Sequence, residues 1–293
     1  MKVGVIESLW RFPVKSFKGE KLNQVQFEKR GVLGDREYAL IDKETGKVVS
    51  AKSVKQFPDL LMCAANYLEA PQAGKKIPPV RITLADGTTV NSDSENANQI
   101  LSDFFKRDVT LTRVAPEDFT IDQYHPDLEN LDPAGHRNTS TEQKLGSALF
   151  KDMGIDSPLP PGSFMDVFPA TVITTSTLEH LQELRPESNF DVRRFRMNVV
   201  AKTYDPGFIE NSWVGKTLRI GNDVQLIVTM PDPRCVMTTL AQDNIPKDNH
   251  ILRTLAEHNR LDIMGSGKYP CAGVYAVIGT TGLVQVNDSV ELS

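Results

Sequence analysis

Apolar and polar residues alternate through most of the first 115 positions, the two-residue period of a half-buried strand. "KVGVIESLWRF" opens with Val3 and Val5 and carries Leu9 further on. "REYALID" and "KVVSAK" flank "KETG", where Gly46 suits the positive backbone angle of a hairpin loop. The pattern recurs in "VRITL" and "TTVNS" on either side of Asp86-Gly87. A helix is predicted next, with Ser94 as N-cap and a stripe of Ile100, Leu101, Phe104 and Phe105 at helical spacing. "VTLTRV" then returns to strand.

Residues 116–164 lose this periodicity and are rich in turn formers, which predicts a long loop or linker between two halves. The second half opens on the apolar strand "ATVIT". The helix "STLEHLQEL" follows, with Ser176 and Glu179 spaced as a capping box and Arg185-Pro186 as its stop. "FRMNVVAKT", "KTLRIG", "DVQLIVTM", "CVMTTL", "GVYAVIGT" and "VNDSVEL" read as strands, with one short helix in "NHILRTLAEHN". Many short strands and few helices predict closed or partly closed β-barrels with helical decoration.

Composition narrows the function classes. Hydrophobic residues make up 40% and charged residues 24% of 293 residues, as in an ordinary globular chain. A net charge of -5 supplies no basic field for coating nucleic acid. Three scattered cysteines without a CxxC pair exclude a disulfide framework and argue against a zinc ribbon or an iron–sulfur cluster. Glu7 and Arg11 interrupt any apolar core of a signal peptide, and no stretch reaches the roughly 18 apolar residues of a membrane span. The expectation is a cytoplasmic protein with no membrane and no nucleic-acid partner.

Candidate chemistry starts at "PDPRCVMTTL", where Cys235 follows Arg234. A neighbouring guanidinium favours the thiolate, the form that attacks or binds metal, although a small hydrophobe at a strand start reads equally well. In "RRFRMN", strand parity would put Arg194 and Arg196 on one face, as a forked site for phosphate or carboxylate or as a solvated face paired with acids. "FPVKSFKGE" offers Lys15 and Ser16 without the glycine-rich loop of a Walker motif. "GVLGDREY" offers Asp35 and Arg36 at a turn. "KYPCAGVY" brings Cys271 and Tyr275 together beside Ala272 and Gly273, small enough for something to approach the backbone closely. The five histidines show no ligand spacing, and no GxSxG is present.

In order, "PVKSFKG", "GDREYALID", "ITTSTLEHL", "RFRMNVV", "PRCVMTTL" and "GVYAVI" resemble the MOSC superfamily with its companion N-terminal domain. Within it, the chain is similar to the amidoxime-reducing components, mitochondrial and bacterial. The resemblance covers residues 1–115 and 165–293 and leaves the middle unmatched. It implies a mainly β fold with some helices (α+β), a MOSC-type β-barrel preceded by a smaller N-terminal β-barrel domain.

The resemblance also implies a molybdenum–molybdopterin cofactor, with the Cys235 thiolate as its protein ligand to the metal and Arg234 keeping that thiolate ionised. A soft thiolate suits a sulfur-rich metal site. Lys15, Ser16, Arg36, Thr174, Arg196 and Asn198 would hold pterin and phosphate, with Tyr275 close to the metal. Arg194 is added from strand parity, and Asp166 would orient substrate or relay protons. The implied reaction is two-electron reduction of N-hydroxylated compounds: amidoximes, hydroxylamines or N-hydroxylated base analogues. With no ferredoxin domain or membrane anchor expected, electrons would come from a separate flavoprotein, ferredoxin or b-type cytochrome. The alternatives are a carrier of sulfur or cofactor on Cys235 and a binding module with no chemistry.

Overall fold

The computed structural model describes residues 1–293. Seven strands close a barrel in the order Ala170–Thr174, Val199–Thr203, Lys2–Arg11, Ser289–Leu292, Thr217–Ile220, Val224–Pro233 and Lys268–Thr280, the last pairing back onto the first. Every neighbouring pair is antiparallel except Ala170–Thr174 with Val199–Thr203, which the helix Thr175–Leu184 connects. Closure leaves the barrel without a free edge. Its inward faces bury Ile6, Leu9, Val172, Val199, Leu218, Leu226, Val274 and Ala276, all at most 1% exposed, in a 21-residue core.

The first strand, at the far end of the sequence from its partners, is an integral stave of this barrel. Gly4 permits that packing, because a Cβ there would stand 2.1 Å from the carbonyl oxygen of Lys202 on the adjacent strand. Two smaller sheets, Ala39–Asp42 with Val109–Thr112 and Ala64–Tyr67 with Val80–Thr83 and Thr89–Asn91, surround a second core of 18 buried residues that includes Phe17, Leu60, Cys63 and Leu101. The mainly β fold with a few helices agrees with the sequence pattern.

Four local expectations are corrected. Residues 116–164 are not a bare loop: Thr120–His125 and Thr139–Lys144 pair as a hairpin, followed by the helix Ser147–Asp152. Ile121 and Phe119 anchor the hairpin against Val48 and Phe164, contacts too sparse to leave a period in the sequence. The helix at 175 is capped by Thr174, whose Oγ1 accepts the Thr177 N–H at 3.1 Å, while the Ser176 hydroxyl pairs with Thr203. The first helix runs Ala97–Phe105 and starts from Asn96, not Ser94. Residues 192–194 and 236–239 form 3-10 turns where strands were expected.

Candidate functional site

A cleft of about 710 Å³ opens where the barrel meets the N-terminal segment. Five cations, Lys15, Arg36, Lys52, Arg196 and Arg234, line it against two carboxylates, Asp166 and Asp232. Its backbone is unusual. Ser16, Arg36 and Arg196 all adopt left-handed conformations, with φ of 65°, 48° and 56°. Each such residue without glycine's freedom costs about 1 kcal/mol or more, and strain of this kind collects at sites where side-chain aim matters.

The surroundings hold these residues in place. Ser16 Oγ accepts the Ala51 N–H at 3.0 Å, and the Arg36 N–H donates to Phe12 O at 2.7 Å. The Arg196 guanidinium donates to Phe17 O at 2.6 Å and stacks 4.3 Å from the Phe12 ring centroid; Arg36 stacks 4.8 Å from the same ring. Arg234 pairs with Asp232 and donates to Phe195 O at 2.6 Å. Its Nε, also buried, has no partner. Asp166 receives Lys15 on one oxygen and Lys52 on the other, the second at 2.7 Å.

Burial sets the electrostatics. It pushes the Lys15 ammonium down to about 8, against the upward pull of Asp166. It pushes Arg196 down to about 9, helped by neighbouring Arg36. Burial favours a neutral Asp166, but Lys15 and Lys52 outweigh it and hold that carboxylate far below its ordinary range. Asp232 is pushed up to about 6 by burial, with Arg234 opposing, and Tyr275 is raised well above the ordinary phenol by burial and then by Asp232. A desolvated site with more cations than carboxylates gains most from an anionic ligand.

Eight of the residues singled out from sequence line this cleft together: Lys15, Ser16, Arg36, Asp166, Arg196, Arg234, Cys235 and Tyr275. Three do not. Thr174 caps its helix and donates to the buried Glu210 carboxylate at 2.8 Å. Asn198 stands behind the cleft, donating to Asp35 Oδ2 at 3.0 Å, and Asp35 in turn pairs with Arg36. Arg194 is fully buried and donates to the carbonyls of Asn189, Thr238, Leu240 and Pro246. The parity that paired it with Arg196 fails because the backbone turns at 192–194 and reverses hand at Arg196. Lys52 and Asp232 were not singled out from sequence. Asp232 stands inside the cysteine motif, whereas Lys52 carried no signal beyond its strand pattern.

Cys235 is half-buried in extended backbone just before the turn Val236–Thr239. It lines the cleft and also a second chamber of about 940 Å³, and with Lys52, Asp166, Pro233, Arg234 and Tyr275 it forms the seam between them. The 120–144 hairpin walls that chamber with Tyr124, His125 and Gln143, and Tyr269 faces it from the barrel side. The other cysteines are inert by comparison. Cys63 and Cys271 are buried, and burial pushes both thiols up to about 12. At Gly273, φ is +79° and a Cβ would meet Met197 Cε at 2.4 Å and Val172 O at 2.7 Å. The close approach expected there is made by the protein's own neighbouring strand.

Comparison with known proteins agrees with this architecture. Residues 3–108 match the MOSC N-terminal beta barrel domain and residues 161–291 match the MOSC domain. The chain belongs to the MOSC-domain family. It is 25% identical to Mitochondrial amidoxime reducing component 2 of Bos taurus and 24% identical to Mitochondrial amidoxime-reducing component 1 of Homo sapiens. Each alignment spans 99% of this MOSC chain and 83% of the relative. Among solved structures, the YUAD protein from Bacillus subtilis aligns over 99% of this chain and 94% of its own, with a TM-score of 0.44 and 9% identity. No helix of this MOSC protein is long and apolar enough to cross a membrane.

Proposed function

We propose that this MOSC chain is a molybdenum-cofactor-dependent reductase of N-hydroxylated compounds, with Cys235 as the protein ligand to molybdenum. The observation that carries the reading is the position of Cys235. A thiol-bearing side chain faces both a cleft with surplus cations and an adjoining chamber large enough for a small organic molecule. The donor set fits the cofactor: a soft sulfur for the metal, guanidinium and ammonium groups for a phosphate, and the unpartnered Arg234 Nε as a ready donor. The names of the similar mitochondrial proteins support the substrate class.

When bound, the cofactor supplies an oxygen acceptor and a store for two electrons. The chain does the rest. Lys15, Arg36 and Arg196 hold the anionic end of the cofactor, with Asn198 and Asp35 positioning Arg36 from behind. Asp166, kept ionised by its two lysines, accepts hydrogen bonds from a substrate N–H and does not act as an acid. Of the two protons that the reduction consumes as the substrate oxygen leaves as water, Asp232, near 6, and the Tyr275 hydroxyl next to it would pass on one, and solvent would supply the other. Tyr275 and Phe168 pack with ring centroids 5.4 Å apart at a tilt of 40° and form an aromatic wall at that end of the cleft. Electrons arrive from a separate flavoprotein, ferredoxin or b-type cytochrome.

The test is molybdenum and pterin content per chain, on protein made in a host with an intact cofactor pathway. About one of each is expected in the wild type, and both are lost in Cys235→Ser. A wild-type chain free of both sinks the reading. A chain that loads and then yields its cofactor to an acceptor protein without turnover is a carrier instead.

A further inference from the structure

The outer chamber contains a second cluster of metal-binding side chains that the reductase reading does not use. His125 closes the first hairpin strand, and Asp132 and His136 lie on the loop beyond it. Their ligand atoms all fall within 4.8 Å of one another. His125 Nδ1 is 3.1 Å from Asp132 Oδ2 and His136 Nδ1 is 3.3 Å from Asp132 Oδ1. Donor atoms bound at about 2.0–2.2 Å around a tetrahedral ion stand roughly 3.3–3.5 Å apart, so the spacing suits a small cation between them.

The hydrogen bonding leaves a place for a cation between the histidines and the carboxylate. Asp132 Oδ1 takes the backbone N–H of His136 at 3.3 Å. Asp132 Oδ2 is buried, its side chain only 10% exposed, and its one polar neighbour is His125 Nδ1. With His125 Nε2 donating to Thr141, Nδ1 and Oδ2 meet as two acceptors, and a bound cation satisfies both. His125 presents its other ring nitrogen, Nε2, 2.8 Å from Thr141 Oγ1. Such an outer contact fixes the ring of a ligating histidine.

We propose that His125, Asp132 and His136 form a site for a divalent transition cation of the zinc class on the wall of the outer chamber. Two imidazoles and one carboxylate are donors such ions accept, and three protein ligands leave a coordination position open. All three residues line the chamber that Cys235 also faces, so the open position is available to an oxygen of a molecule bound there. The cation would also tie the 126–138 loop to the hairpin. The histidine spacing hides this from the sequence, because the loop must fold back before His125 meets Asp132.

The experiment titrates zinc chloride into chelator-stripped protein by calorimetry, with cobalt(II) absorption as a second readout. One equivalent bound is expected, with affinity about tenfold or more weaker in His136→Ala and weaker still in Asp132→Asn. His136 is more than one-third exposed and Asn matches Asp in shape, so both variants keep the fold. Cys235→Ser should bind the same equivalent, and the cobalt spectrum should lack a thiolate charge-transfer band. No uptake, unchanged affinity in both cluster variants, or loss of binding in Cys235→Ser would each overturn the proposal. None of these outcomes bears on molybdenum content, so this site and the reductase reading fail separately.

Discussion

The cleft and the outer chamber share Cys235 but are built in opposite ways. In the cleft each guanidinium is tied to a backbone carbonyl: Arg196 to Phe17, Arg234 to Phe195, Arg36 to Arg196 at 3.2 Å. Three left-handed residues aim those side chains, and two of them share the Phe12 ring. The hairpin wall of the chamber has no such ties. Its hairpin side chains bond to one another or to nearby exposed groups, as Tyr124 does to Asn138 at 3.0 Å and Gln143 to Thr141 at 2.8 Å. A preorganised cleft suits a constant ligand such as a cofactor, and a wall carried on a hairpin suits a variable one such as a substrate.

The largest expected effect breaks the cleft from behind. Arg194→Ala leaves four carbonyls without their donor, two of them, Thr238 and Leu240, in and just after the turn following Cys235. A loss of about 3–4 kcal/mol is expected in urea unfolding. Near-wild-type stability combined with lost cofactor would make Arg194 a ligand contact after all. Next in size is Arg196→Ala, which removes a charged donor from the cleft itself. Cofactor retention should weaken by about 1.5–3 kcal/mol, roughly 10- to 150-fold, with the fold intact. Molybdenum retained after gel filtration reads this directly, and normal loading would remove Arg196 from the cofactor contacts.

A pH titration sharpens the same contrast. Lys15 sits near 8 in the ligand-free chain, so it is charged below that value and neutral above it. A phosphate stays anionic across the range, so cofactor retention should fall as pH rises through 8, approaching tenfold per unit beyond it. Lys15→Gln should lower retention at pH 7 and flatten the slope. A wild-type retention curve that is level from pH 7 to 9 would show that Lys15 serves Asp166 alone.

The different visibility of the two regions in the sequence has the same origin. Cleft residues come from short local motifs, so Lys15-Ser16, Asp35-Arg36 and Arg234-Cys235 could be read as pieces. Their strands also declared themselves, because alternating apolar residues fill a closed barrel. What could not be read depended on backbone hand and on distant folding. Arg194 was paired with Arg196 on the assumption of an extended chain. Thr174 and Asn198 sit in family motifs yet serve Glu210 and Asp35, partners 36 and 163 residues away. The His125–Asp132–His136 cluster needs a loop that carries no periodicity, and Lys52 reaches Asp166 across 114 residues.

The smallest expected effect tests whether the two regions are separable at all. Leu131 lines the chamber, buried with Leu128 and Leu252, and is not among the residues that line the cleft. Leu131→Ala widens the chamber and should leave molybdenum content unchanged. KM for a small amidoxime should rise about three- to tenfold, a change of roughly 1 kcal/mol, with kcat held because nothing at the reacting centre moves. The packing loss adds about 2 kcal/mol of destabilisation, so kinetics belong well below the melting transition. If molybdenum content falls along with KM's rise, the hairpin supports the cleft as well as the chamber. The seam at Cys235 would then be a feature of shape, with one site on both sides of it.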